Sequence, residues 1–187
     1  MDSGLVALIV IILVRFFVPL TLFRFPLLGA LFCIIGDISD VMIFEEFGAG
    51  PLTGGLYHNF DKVFDIWYLF FELLVARRWA NNLAKNTAVF FFMWRFLGFV
   101  TFEASTILGA TFRPAFTLSP NIFEHWYIAW TVIKKWNPRF VLTKTRLAII
   151  LFIVGAPKLI QEYIMHFAYP DQTWNFLRDH LFWWVYE

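Results

Sequence analysis

Charge is scarce in this chain. Asp, Glu, Lys and Arg make up 16% of its 187 residues, whereas hydrophobic types make up 60%. A soluble domain typically has about 45–50% apolar and about 25% charged residues. A single soluble core of this length could not enclose the 25 Phe and 9 Trp. The scarcity of charge therefore excludes an ordinary soluble domain and predicts a protein that crosses a membrane several times.

Cysteine and basic residues near the start are also rare. Cys33 is the one cysteine, so no intrachain disulfide can form, and we expect it to pack in its apolar run. The N-terminal "MDSG" carries an acid and no base, which predicts a retained span after it and not a cleaved signal peptide. The net charge of +1 gives no electrostatic reason to expect a nucleic-acid partner.

Long apolar runs dominate the chain. A membrane-spanning helix needs about 20 mainly apolar residues and must satisfy its own backbone hydrogen bonds. The runs that meet this requirement are Gly4–Leu22, Pro26–Phe44, Phe60–Ala76, Ala88–Thr111, Asn121–Lys135 and Arg146–Phe167. Pro26 is expected to open the second helix, while Pro19 and Pro157 fall inside spans and predict kinks. We therefore predict an all-α, polytopic membrane bundle of about six helices. It forms a single domain over residues 1–187, in which residues 170–187 are an interfacial C-terminal segment.

The basic residues of the predicted loops are distributed unequally between the two sides of such a bundle. Lys and Arg in short loops are retained on the cytoplasmic side of a membrane. With six spans, one side receives Arg24, Arg77, Arg78, Lys85, Lys134, Lys135, Arg139, Lys144 and Arg146. The other side receives Lys62, Arg113 and Arg178. The bias predicts a multi-pass protein of the cell membrane or another membrane, with both termini and the loop Glu45–Asn59 on the non-cytoplasmic side.

Residues 36–65, "GDISDVMIFEEFGAGPLTGGLYHNFDKVFD", gather acids at the ends of the second and third spans. Consecutive spans joined by a short loop are usually antiparallel neighbours, so these acids are expected to lie close together. Facing carboxylates repel unless a cation, a base or protons intervene. Lys62 is the one local base, and it points about 100° away from Asp61 on the helix. The sequence therefore predicts either a bound cation, with a divalent metal as the candidate cofactor, or a raised carboxylate pKa at Asp37, Asp40, Asp61 and Asp65. The predicted ligands are Asp37, Asp40, His58, Asp61 and Asp65.

Further ionisable residues fall within the predicted spans. They are Arg15, Glu72, Arg95, Glu103, Lys158, Glu162 and His166. Such groups are costly in a bilayer, so they usually face the bundle interior and find a partner or a function there. Lys158, Glu162 and His166 follow one another at intervals of four and share a helix face, so the first two can pair. Arg15 and Arg95 are natural partners for Glu72 and Glu103. Structural and functional roles both stay open for this set.

The aspartate spacing resembles that of the CDP-alcohol phosphotransferases, a family with six spans that chelates two divalent ions in a DxxD…DxxxD pattern. "GDISD" and "LYHNFDKVFD" supply both spacings. The metal ligands that the resemblance implies are Asp37, Asp40, Asp61 and Asp65. The sequence departs from the family at Val41 and Tyr57, which replace glycines, and at "IFEE", which replaces an Ala-Arg pair. The family's site also faces the cytoplasm, whereas the basic residues place this loop on the other side.

Two functional classes stay open. In the first, an acidic, histidine-bearing, non-cytoplasmic vestibule binds a cation, a metal or a polar head group in a transporter-like or accessory membrane subunit. In the second, the vestibule is the active site of a membrane-embedded, metal-dependent enzyme that acts on lipid-like substrates. We favour the first class because no HExxH, CxxC, Walker or Ser/His/Asp motif is present. The expected partners are the lipid bilayer and other membrane protein subunits.

Overall fold

Helices supply all of the regular secondary structure in the described part of the chain. The computed structural model describes residues 3–46, 57–109, 112 and 114–164. Its helices are α1 (Ser3–Phe17), α2 (Pro26–Glu46), α3 (Tyr57–Ala76), α4 (Asn82–Ile107), α5 (Pro114–Leu118), α6 (Ile122–Trp136) and α7 (Lys144–Tyr163), and a 3₁₀ helix over Val18–Phe23 follows α1. The predicted all-α fold is confirmed for these residues.

Prolines set the junction between the first two helices. Pro19 lacks a backbone donor, and α1 ends at Phe17, after which the chain tightens into the 3₁₀ helix. Pro26 begins α2, as predicted, because the first helical position needs no backbone donor. Pro157, in contrast, lies inside α7 without ending it. The short α1–α2 connection brings these two helices together as neighbours.

The predicted apolar runs coincide with helices, but several ends differ. α4 begins at Asn82 and not at Ala88, because Asn81 caps its N-terminus and lets the polar residues before Ala88 join the helix. The Asn81 side chain accepts a hydrogen bond from the Ala84 N–H at 2.9 Å. α2 continues to Glu46, so its aspartates lie nearer to its middle than to its end. The short helix α5 was not predicted. The predicted interfacial segment, 170–187, and most of the Gly-rich loop lie outside the described residues.

α6 is packed among four other helices. It contacts α2, α3, α4 and α7, and Phe123, Trp126 and Tyr127 on it are fully buried. The Trp126 indole donates to the Ala84 carbonyl at 3.2 Å, so even this large ring has its polar atom satisfied. Because α6 touches four helices, it fixes the positions of the polar side chains that α2, α3 and α7 turn inward.

A close backbone approach holds α4 against the chain that precedes α6. A side chain at Gly98 would place its Cβ 1.6 Å from the Ser119 hydroxyl. Beside it, the Arg95 guanidinium donates to the Ser119 carbonyl at 3.0 Å. Position 98 therefore requires glycine, because Ser119 occupies the space of a side chain there. The same close approach places the Ser119 carbonyl where the buried Arg95 can donate to it.

In the part of the chain that the structure describes, two helical segments are long and apolar enough to cross a membrane. They are Ser3–Phe23, with a mean hydropathy of 2.8, and Asn82–Ile107, with a mean hydropathy of 1.3. The core helix of a soluble protein is mostly buried, but only 28% of each of these apolar windows is buried within the fold. Neither segment is thus mostly buried, which supports association of the chain with a membrane.

Candidate functional site

Arg15 on α1 is the centre of the candidate site. Its side chain is 5% exposed, although α1 is otherwise apolar. A buried guanidinium is strongly disfavoured unless carboxylates or other acceptors surround it. Here its two terminal nitrogens point toward α2 and α3, the two helices that carry the acidic stretch singled out in the sequence.

Four aspartates surround this guanidinium. From α2, Asp37 lies 2.7 Å from Nη2, and Asp40 accepts a hydrogen bond from Nη1. From α3, Asp61 accepts from Nη1 at 3.0 Å and Asp65 accepts from Nη2 at 2.9 Å. Arginine suits this position because its planar fork offers several donors in fixed directions. Three helices are thereby joined through one side chain.

The spacing of the aspartates explains why they converge. Those on α2 are three residues apart and those on α3 are four apart, so each pair occupies one helix face. Asp40 is almost fully buried, with 2% of its side chain exposed, whereas Asp37 is 38% exposed. The site therefore extends from a buried end toward a more open end.

Lys62 supplies a second positive charge. Its ammonium lies 2.8 Å from Asp61 and 3.8 Å from Asp65. The expectation that Lys62 points away from Asp61 is wrong, because its long flexible side chain can turn back toward a neighbouring carboxylate although the Cβ atoms diverge. We refer to Arg15, Asp37, Asp40, Asp61, Lys62 and Asp65 together as the Arg15 cluster.

The Arg15 cluster contains more acids than bases. Its four carboxylates exceed its two cationic side chains by a formal charge of two. Three of the acids, Asp37, Asp61 and Asp65, each offer an oxygen, and these oxygens lie within 4.8 Å of one another. Carboxylate oxygens at this separation are the donors that hard cations prefer. A cavity of about 260 Å³ between α1 and α2, lined in part by Arg15, Ser39 and Asp40, adjoins the cluster.

The polar face of α3 continues past the cluster into the bundle. Tyr68 follows Asp65 by three residues, and its hydroxyl donates to Glu124 of α6 at 3.1 Å. The other oxygen of Glu124 accepts from the Asn121 side chain at 2.9 Å. This buried carboxylate is thus held from two sides, by a tyrosine from α3 and by the residue that caps its own helix.

Glu72, one turn further along α3, is different. It is fully buried, and neither of its carboxylate oxygens has a hydrogen-bond partner in the described part of the chain. Its carboxylate interacts electrostatically with that of Glu124, the buried acid of α6. The buried hydroxyl of Tyr127 likewise has no hydrogen-bond partner among the described residues. Buried polar groups are normally satisfied, so such a group requires an explanation.

The other ionisable residues singled out in the sequence lie apart from the Arg15 cluster. Arg95 is buried against the Ser119 carbonyl, and Glu103 is half-buried with one oxygen that has no hydrogen-bond partner in the described residues. On α7, the Lys158 ammonium lies 3.2 Å from the buried Glu162 carboxylate, so the expected pair forms. The His58 side chain and His166 lie outside the described residues.

The expected partners of Arg15 were wrong. The sequence paired it with the glutamates of the third and fourth spans, but it contacts aspartates of α2 and α3. Charge alone does not specify which helices are adjacent, which explains the error. Tyr68 and Asn121 were missed because uncharged polar residues in an apolar run give little signal. Asn121 does give one sequence signal, because it stands three residues before Glu124, which is the spacing of a helix-capping residue.

Comparisons with models of protein families, with curated proteins and with solved structures gave no significant match. The likeness to the CDP-alcohol phosphotransferases therefore rests on the aspartate spacing alone. The described residues define an all-α protein in which a cluster of ionisable side chains joins three helices.

Proposed function

We propose that this chain is a multi-pass membrane protein whose Arg15 cluster binds a cation, reached from the non-cytoplasmic side. The observation that carries the proposal is the excess of carboxylates, one buried and three partly exposed, over cationic side chains in the cluster. Aspartates that face one another repel unless further positive charge is supplied. A bound cation supplies that charge, and three carboxylate oxygens are close enough to share it.

The distribution of side chains supports a membrane location with several spans. Large apolar residues lie outward not only on α1 and α4 but also on α7, where Phe152 is 74% exposed and Ile153 is 62% exposed. On α2, Phe32 and Ile35 are more than half exposed, while Asp40 on the same helix is buried. A protein in water would be destabilised by exposing so many apolar side chains, whereas lipid is a suitable solvent for them.

Within this class, a transporter-like or accessory subunit fits the site better than an enzyme. The Arg15 guanidinium contacts all four aspartates, so a pair of catalytic metal ions would have to displace it from each carboxylate. A single cation toward the open end of the cluster would compete with Arg15 for three of these carboxylates only, those of Asp37, Asp61 and Asp65. The alternative is the metal-dependent enzyme, which is also compatible with the short distances between the oxygens of the three aspartates.

The proposal is tested by cation-dependent stability. The full chain in mild detergent is heated in NaCl, MgCl₂, CaCl₂ or MnCl₂, with choline chloride at matched ionic strength as the reference. A ligand at about 100 times its Kd stabilises a folded protein by about 2.7 kcal/mol. We expect one cation to raise the unfolding temperature, and Asp61→Asn and Asp65→Asn to abolish the increase.

Glu103→Gln is the matched control, because Glu103 is a half-buried carboxylate outside the Arg15 cluster. It is expected to keep the full response to the cation. If no cation stabilises the wild-type chain, or if Glu103→Gln loses the response as the aspartate variants do, the cation site is refuted. Preference for Mg²⁺ or Mn²⁺ over Na⁺ would favour the metal-dependent alternative.

A further inference from the structure

A separate cavity lies at the end of the bundle where α1 joins α2 and α3 joins α4. Its volume is about 610 Å³. Arg78, Asn81 and Lys134 contribute polar atoms to its lining, and Phe23, Trp79 and Trp130 contribute aromatic walls. The lining comes from three regions of the chain: the junction of the 3₁₀ helix with α2, the end of α3 with the α3–α4 connection, and the last two turns of α6. None of these residues belongs to the Arg15 cluster.

Two cationic side chains at this cavity lie against aromatic rings, and one of them, Lys134, also donates a hydrogen bond to the Pro138 carbonyl. The Arg78 guanidinium lies over the Phe23 ring, 5.1 Å from its centroid, and the Lys134 ammonium lies 5.8 Å from the centroid of Trp130. Such contacts orient a cation without neutralising it. Among the described residues, no carboxylate lies within ion-pair distance of either side chain, since the ion pairs there are formed by Arg15, Lys62 and Lys158.

The start of α4 adds a third favourable element. Ala80 and Asn81 line the cavity, and the helix begins at the next residue. The N-terminus of a long helix carries a partial positive charge and free backbone N–H groups, which favour anions. Two side-chain cations, one helix N-terminus and no acid therefore surround a space large enough for a small ligand.

We propose that this cavity binds a phosphate group. Arginine can donate two parallel hydrogen bonds to phosphate oxygens, while lysine acts as a mobile point charge. Aromatic walls suit a phosphate attached to an organic body, such as the head group of an anionic phospholipid. Basic pockets between helices on the cytoplasmic side of membrane proteins accept such head groups. This is the side to which the basic residues assign this end of the bundle.

The chain provides matched controls for this proposal. Arg77 and Lys135 are the basic sequence neighbours of Arg78 and Lys134, and neither lines the cavity. Binding is measured on the full chain in detergent by titration with phosphatidylglycerol and, separately, with inorganic phosphate and pyrophosphate. Phosphatidylcholine, which has a phosphate but no net charge, is the reference lipid. Thermal unfolding of each variant first establishes that it is folded.

We expect Arg78→Gln and Lys134→Gln each to weaken binding about tenfold, the scale of one lost charge-assisted hydrogen bond. Arg77→Gln and Lys135→Gln should bind as the wild type does. Binding of phosphatidylglycerol alone would identify a lipid head group, whereas equal binding of pyrophosphate would identify a soluble phosphate compound. Equal losses in lining and control variants, or no binding of any phosphate probe by the wild type, would overturn the proposal. If Lys134→Gln does not fold, Arg78→Gln against Arg77→Gln decides the question.

Discussion

The replacement of Arg15 by methionine is the most informative perturbation of the candidate site. Methionine keeps much of the aliphatic length of arginine but removes all of its donors. In the wild type the guanidinium lies within 3.0 Å of Asp37, Asp61 and Asp65, and it also donates to Asp40. In the variant these four carboxylates would face one another with Lys62 as the remaining base of the cluster.

The expected loss of stability is large. Removal of one partner from a buried ion pair typically costs about 3–5 kcal/mol, because the other charge stays buried without compensation. For a chain of 150–250 residues, each kcal/mol shifts the unfolding temperature by about 2–4 °C, which gives a decrease of roughly 6–20 °C. Arg15 serves four carboxylates, and one of them, Asp40, is 2% exposed, so we expect the upper part of this interval.

The assay is thermal unfolding of the purified chain in mild detergent, with three variants compared. Arg24→Met is the control, because Arg24 is exposed in the α1–α2 connection, and such surface changes are usually worth less than about 0.5 kcal/mol. Adding Asp40→Asn to Arg15→Met should recover part of the loss, since one of the uncompensated carboxylates becomes neutral. An Arg15→Met chain that unfolds at the wild-type temperature would refute the central role assigned to the guanidinium.

Three further predictions concern orientation, an ion pair and a buried acid. In a Cys33→Ser background, a cysteine introduced by Thr53→Cys should react with an impermeant maleimide on intact cells, and labelling only after lysis would contradict the proposed orientation. The charged atoms of Lys158 and Glu162 lie 3.2 Å apart, so Lys158→Met and Glu162→Gln should each lower the unfolding temperature in detergent. The double variant should recover part of the loss, and strictly additive losses would count against the pair. Glu72→Gln should raise the unfolding temperature, because it keeps the side-chain volume and removes a buried carboxylate that lacks a hydrogen-bond partner in the described residues. A decrease would mean that this carboxylate has a stabilising ligand.

Much of the helical layout was predictable from the sequence. Each long apolar run became a helix, because length and composition decide whether a segment can satisfy its backbone internally and bury or expose an apolar surface. Pro26 marked the start of α2 for the same local reason. A local signal also explains the main error in a predicted helix boundary, which is the start of α4. The capping residue Asn81 starts this helix before its apolar run begins.

The pairing of charges was not predictable in the same way. The convergence of acids from the second and third predicted spans followed from a short connection between antiparallel neighbours, and this inference needed only chain topology. The identity of the base between them depended on which face α1 turns toward α2 and α3. That choice is made by packing over many apolar contacts, so Arg15 could not be assigned to the aspartates in advance.

The number of acids is what distinguishes the interior of this protein from a structural clamp. One arginine and one or two aspartates would hold three helices together with balanced charge, yet α2 and α3 each supply two acids to the Arg15 cluster. Tyr68 then links the same face of α3 to Glu124, and the fully buried Glu72 follows one turn later. Buried ion pairs contribute little net stability even when charges are matched, so unmatched carboxylates lower stability. The carboxylates that α2 and α3 supply in excess of the bases add no stability of their own. This is the reason for which we propose a cation ligand, and cation-dependent unfolding tests it.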